Sequence, residues 1–112
     1  MKKSELDNLI KSGFDYKYSV EITNQFKRSF VLCVNRGLDK QLVINAVKIL
    51  AKEGKLPPEY RTHPLKGYKT KAHEKAMECH IQPDWLLAWI QNDKELILML
   101  VDTGTHSDLF GI

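Results

Sequence analysis

Two apolar runs near the C-terminal end, DWLLAWIQ (84–91) and ELILMLVD (95–102), constrain this chain more than any other feature. In the first, Trp85, Leu87 and Trp89 alternate with Leu86, Ala88 and Ile90. In the second, Leu96, Leu98 and Leu100 alternate with Ile97, Met99 and Val101. Successive strand residues point to opposite faces of a sheet, so both segments are apolar on both faces. Such strands belong in the middle of a sheet, not at its edge. The turn around Asn92-Asp93 makes them neighbours, and a preceding strand is expected from near Ala76 to Ile81.

The upstream half supplies the cover. Tyr18, Val20 and Ile22 alternate with Ser19 and Glu21, the pattern of a strand over 18–22. Thr23 or Asn24 can cap a helix reaching about Asn35, with Phe26, Phe30, Cys33 and Val34 at helical spacing and Gly37 closing it. Asp39 opens a second helix that turns Val43, Ala46, Val47 and Leu50 inward and stops at Gly54. A short Gly-containing link makes the two an antiparallel hairpin. A further short helix is predicted over 4–12, capped by Ser4 and ended by Gly13. Residues 55–75, with Pro57, Pro58, Pro64 and Gly67, read as a loop. The fold class that results is α+β in two layers: a helical hairpin packed on a small, mainly antiparallel sheet, in the order β-α-α-β-β-β, with an extra N-terminal helix. The 112 residues suit one domain, taken as 17–112, with 1–16 an N-terminal extension.

Composition narrows the function by exclusion. The longest apolar runs fall well short of the ~18 residues of a membrane span. The N-terminus has a basic start but no apolar signal core, so a cytoplasmic location is expected. Cys33 and Cys79 form no CxxC pair, which indicates neither a disulfide framework nor a zinc motif. The net charge of +3 is mild. Its distribution is less so, because Lys55, Arg61, Lys66, Lys69, Lys71 and Lys75 crowd the segment 55–75. Such a cluster is either a solvated loop or a phosphate-binding surface.

Chemistry concentrates on histidine. Of the 4 histidines, His73 lies among lysines and reads as solvated, whereas His63, His80 and His106 stand at the edges of elements. If the last strands form a meander, His106 approaches Asp84, and His80 comes close through the link Ile81-Gln82-Pro83. Imidazoles grouped with a carboxylate suit acid–base chemistry near neutral pH. The same set can bind metal, but no HxH, HExxH or His/Cys pair is present, so a metal site is not expected.

Three stretches in order, HPLKG, ECHIQPDWLLAW and DTGTHSDLF, resemble the YafQ branch of the RelE-like toxins (RelE/ParE superfamily) of bacterial type II toxin–antitoxin systems. The resemblance covers roughly residues 17–112. It implies a ribosome-dependent mRNA endoribonuclease, or mRNA interferase, that inhibits translation by 2′-hydroxyl attack without metal or organic cofactor. The alternative it leaves open is an inactive toxin-fold protein that binds an antitoxin and takes part in operon autoregulation. Implied partners are a cognate antitoxin, the ribosome and mRNA, with operator DNA reached only through the antitoxin complex and no membrane. The implied catalytic residues are His63, His80, Asp84, His106 and Phe110. RNA contacts are expected from Arg61, Lys66, Lys69, Lys71 and Lys75, and from Trp85 by stacking, with packing as its other role. Met77 and Asp102 stand where the resembled family carries arginine. Asp102 is expected at the rim of the site, where replacement by arginine would accelerate cleavage about tenfold.

Overall fold

The computed structural model describes residues 8, 16–65 and 76–111. The elements are β1 (Ser19–Ile22), α1 (Asn24–Asn35), α2 (Lys40–Glu53), a 3-10 turn (Pro58–Tyr60), β2 (His63–Pro64), β3 (Met77–Gln82), β4 (Trp85–Asn92), β5 (Ile97–Gly104) and α3 (His106–Phe110). They form a five-stranded sheet in the order β1-β5-β4-β3-β2. β1 runs parallel to β5, and the other pairs are antiparallel. The two doubly apolar segments, β4 and β5, therefore lie inside the sheet, as their pattern requires.

Side-chain chemistry at the ends fixes the helical hairpin. The Thr23 hydroxyl oxygen accepts from the Phe26 amide and also contacts the Leu100 and Val101 carbonyls, both at 3.0 Å. One residue thus caps α1 and ties it to β5. Asp39 caps α2 by accepting from the Gln41 amide. Gly54 ends α2 at φ 77°, with the Tyr18 ring against it: a Cβ there would meet Tyr18 Oη at 2.8 Å. Phe26, Phe30, Val43, Ala46, Val47 and Leu50 then bury against Trp85, Leu87, Trp89, Leu98 and Leu100. Area removed from water on this scale is the main stabilising term of the fold.

The other sheet face carries a smaller cluster of Leu65, Ala76, Leu86, Ala88 and Leu109. Its cover comes from α3, a helix absent from the expected element order. Thr105 Oγ1 accepts from the Asp108 amide, and Asp108 Oδ2 accepts from the Thr105 amide, a reciprocal capping box. The loop expected over 55–75 likewise contains the 3-10 turn and β2. The helix expected over 4–12 lies outside the described residues except for Asn8. Among the described residues no helix is long and apolar enough to cross a membrane.

A candidate active site on the open sheet face

Strand alternation sorts β3 into two sets. Cys79 is buried in the helix-side core, with Met77 and Ile81 packed against it. Glu78 and His80 point to the opposite face, where α3 covers the sheet only in part. β2 pairs with β3 so that His63 stands opposite Glu78. His63 Nε2 lies 2.6 Å from Glu78 Oε1, and His63 Nδ1 lies 2.8 Å from the Arg61 carbonyl oxygen. A carbonyl only accepts, so Nδ1 donates there and Nε2 faces the Glu78 carboxylate. Glu78 is 3% exposed, and its Oε2 is buried with no hydrogen-bond partner among the described residues.

His80 occupies the middle. Its ring centroid lies 5.7 Å from that of His63 and 5.8 Å from that of His106. Burial lowers its pKa below the ordinary histidine value, the Arg61 guanidinium pushes the same way, and a hydrogen bond to the Pro83 backbone opposes both. The ring is therefore neutral at pH 7. Its Nδ1 is buried without a hydrogen-bond partner among the described residues.

The far end mirrors the near one. Asp84, in the β3–β4 turn, accepts with one oxygen from the His106 backbone amide at 3.0 Å and meets His106 Nδ1 at 2.6 Å. The backbone bond first, and then the imidazole bond, hold the Asp84 carboxyl below the usual carboxylate range. An acceptor on Nδ1 fixes the proton there and leaves Nε2 for chemistry. His106 opens α3, so Phe110, one turn later, shares its face, with ring centroids 6.1 Å apart. Two carboxylate–imidazole pairs, Glu78–His63 and Asp84–His106, thus flank His80 in one row that ends on an aromatic ring.

Not every sequence expectation reaches this row. Trp85 is 1% exposed, and its indole N–H donates to Thr103 Oγ1 at 3.0 Å, so it packs in the core and offers no free face to a base. Asp102 is no rim residue: it is 1% exposed, lies opposite Ala88, and accepts from the Thr103 amide at 2.8 Å. Met77 packs against the helix-side core, away from the imidazoles, so the lack of arginine there leaves the row untouched. Arg61 is exposed beside the row, as its effect on His80 requires. Lys66, Lys69, Lys71 and Lys75 lie outside the described residues. Glu78 was missed in sequence, although it stands two residues before His80 in a strand and so shares its face. Linear spacing also hid a possible metal-ligand set, because donor atoms of His63, Glu78 and His80 all lie within 4.8 Å of one another.

Residues 18–111 match the family described as a bacterial toxin of type II toxin–antitoxin system, YafQ. The chain belongs to the YafQ toxin family. The mRNA interferase toxin YafQ of Escherichia coli (strain B / BL21-DE3) is 32% identical over 97 residues, covering 82% of this chain and 95% of that protein. The crystal structure of the E. coli DinJ-YafQ toxin–antitoxin complex aligns with a TM-score of 0.72 at 29% identity, over 85% of this chain and 99% of the other. A metal-bound toxin from Helicobacter pylori aligns with a TM-score of 0.71 at 36% identity, over 83% of this chain and 99% of that one. YafQ toxins share the α+β architecture described above, with its helices on a mixed sheet.

Proposed function

We propose that this YafQ-family toxin is an endoribonuclease that cuts mRNA on the ribosome by acid–base chemistry of its own side chains. The observation that carries the reading is the row of two carboxylate–imidazole pairs around His80. In-line attack needs a base at the entering 2′-oxygen and an acid at the departing 5′-oxygen, each within about 3 Å. His63, with the Glu78 carboxylate beside it, takes the 2′ proton on Nε2. His106, oriented by Asp84, gives a proton to the 5′-oxygen. Arg61 faces the phosphate between them, and His80 joins it in stabilising the added charge once the phosphate draws a second proton onto its ring. The bond from the 2′-oxygen to phosphorus forms as the bond to the 5′-oxygen breaks, leaving a cyclic phosphate and a free 5′-hydroxyl. Phe110 stacks on the adjoining base. The side chains themselves carry both protons, so the scheme needs no metal.

The relative found with DinJ supports a cognate antitoxin as partner here, and on this proposal operator DNA is reached only through that partner. Ribosome and mRNA in turn imply the cytoplasm as the place of action. The test is induction alone and with the neighbouring antitoxin gene, followed by mapping of mRNA ends. Growth arrest with new ends, relieved by the antitoxin, is expected. His80→Ala and His106→Ala should each remove the new ends at equal protein level. Antitoxin binding without any cleavage would instead favour the reading as an inactive, autoregulatory toxin-fold protein.

A further inference from the structure

We propose that Arg36, at the end of α1, is a positioning residue for His106: its guanidinium holds Asp108, and thereby the first turn of α3 on the other side of the sheet. The effect on cleavage rests on the nuclease reading above, whereas the hold on α3 does not.

α3 has five residues, and a helix so short does not persist on its own backbone bonds. Its place is set by what it touches. Leu109 buries in the open-face cluster, but an apolar contact has no direction. The His106 amide reaches Asp84, whose side chain is itself 67% exposed. Asp108 supplies a directed anchor. Its Oδ2 accepts from the Thr105 amide at 2.9 Å and from Arg36 Nη1 at 2.7 Å, while Arg36 Nη2 lies 3.5 Å from Oδ1. One oxygen thus joins the start of α3 to α1. A planar guanidinium facing both oxygens sets direction as well as distance. The Arg36 hydrogen bond is also the first cause that holds the Asp108 carboxyl below the usual carboxylate range, so Asp108 remains an acceptor through neutral pH.

The other end of the link is rigid. The Arg36 backbone amide donates to the Leu32 and Cys33 carbonyls at 3.0 and 3.2 Å, and Cys33 is buried. Thr23 ties the opposite end of α1 to β5. β5 runs into α3 through Gly104 and Thr105, so β5, α1 and α3 form a ring that the Arg36–Asp108 contact closes. Stability is not what this contact supplies. Its side chains are 49% and 34% exposed, and pairs so open to water contribute little to folding. An imidazole that must meet a reacting oxygen is more demanding, because a displacement of about 1 Å can cost about 100-fold in rate. Movement of α3 over an intact core therefore shows in cleavage and not in melting.

The test compares Arg36→Ala, Arg36→Lys, Asp108→Asn and the double variant Arg36→Ala/Asp108→Asn in the full chain. Arg36 is exposed, so Arg36→Ala should melt close to wild type by circular dichroism; Arg36→Lys carries the comparison if it does not fold. On programmed ribosomes the maximal single-turnover rate of Arg36→Ala should fall about tenfold or more, with the half-saturating toxin concentration unchanged. Arg36→Lys keeps the charge but not the fork and should recover part of the loss. In the Asp108→Asn background, Arg36→Ala should lower the rate no further. By NMR, the His106 ring signals should move in Arg36→Ala while those of His63 stay. A raised half-saturating concentration at unchanged maximal rate would show Arg36 gripping phosphate directly and overturns positioning, as do losses that add in the double variant. If wild-type protein does not cleave, the nuclease reading fails, and the NMR arm decides alone: unmoved His106 signals overturn the hold on α3, and moved ones leave it standing.

Discussion

Asp84 does its work with one oxygen, which accepts from both the backbone and the ring of His106. Asp84→Asn removes the charge that favours a proton on Nδ1. Cleavage should fall by about 100-fold or more, the scale of an acid–base contribution. A single-turnover rate, with nitrogen NMR of the His106 tautomer, checks this; an unchanged tautomer and rate would remove Asp84 from the mechanism. The pH dependence has a definite sign. The folded pKa of Asp84 is lowered, so its contribution is present above the unfolded value of 3.8 and is lost as pH falls through the folded one. Asp84 therefore stays ionised through neutral pH, and acid titration of unfolding should be shallower in Asp84→Asn below about pH 4. Asp102 carries the opposite lesson. At 1% exposure and bonded to the Thr103 amide, it has no room to become a longer cation. Asp102→Arg should lose about 3 kcal/mol or more in urea denaturation, the cost of forcing a longer, charged side chain into a buried position. A variant equally stable and faster on ribosomes would restore the rim expectation and defeat the burial argument.

At the scale of elements, α3 decides whether the row exists. It carries His106 in its first turn and Phe110 in its last, and its start is set by Gly104 and the Thr105–Asp108 box. Gly104 has φ 154°, and a Cβ there would meet Asp108 at 2.7–2.8 Å. Thr105→Ala should cost about 1 kcal/mol, the worth of an N-cap. Cleavage should fall further than that loss predicts, because His106 swings with the helix; equal, small losses in both would detach α3 from positioning. A five-residue helix is too short for periodicity to reveal, although Thr105-x-x-Asp108 is legible as a capping pattern. β4, β5 and the hairpin were legible because their patterns run for eight residues or more. β2 was not, since two residues in a proline-rich loop have no pattern of their own and pair only through β3. Its pairing nevertheless sets His63 against Glu78. Trp85 was readable as core from its alternation with Leu87 and Trp89; only the resemblance suggested RNA.

At the scale of the whole molecule, one sheet separates two regimes. The helix side is closed. Burial pushes the Cys33 thiol up to about 11 and the Cys79 thiol up to about 12. Both should resist a thiol reagent at pH 8 until the chain is denatured; fast native labelling of both would mean the core opens readily. The imidazole side is open. A cavity of about 430 Å³ lies elsewhere, lined by Gly54, Lys55, Met77, Trp89 and others, and no imidazole borders it. Among the described residues the row's ends, the His63 and His106 side chains, are exposed. Among the described residues this edge has the proton donors and acceptors but, beyond Arg61, little to hold a flexible RNA in line. Positioning is worth many kcal/mol when supplied from outside, so the toxin should depend on a body that already holds the mRNA. On that argument, programmed ribosomes should raise the single-turnover cleavage rate by about 100-fold or more over the same RNA free in solution. The comparison is made at one salt concentration, because phosphate contacts weaken steeply with salt. Equal rates on free and ribosome-bound RNA would mean that the toxin positions the substrate unaided.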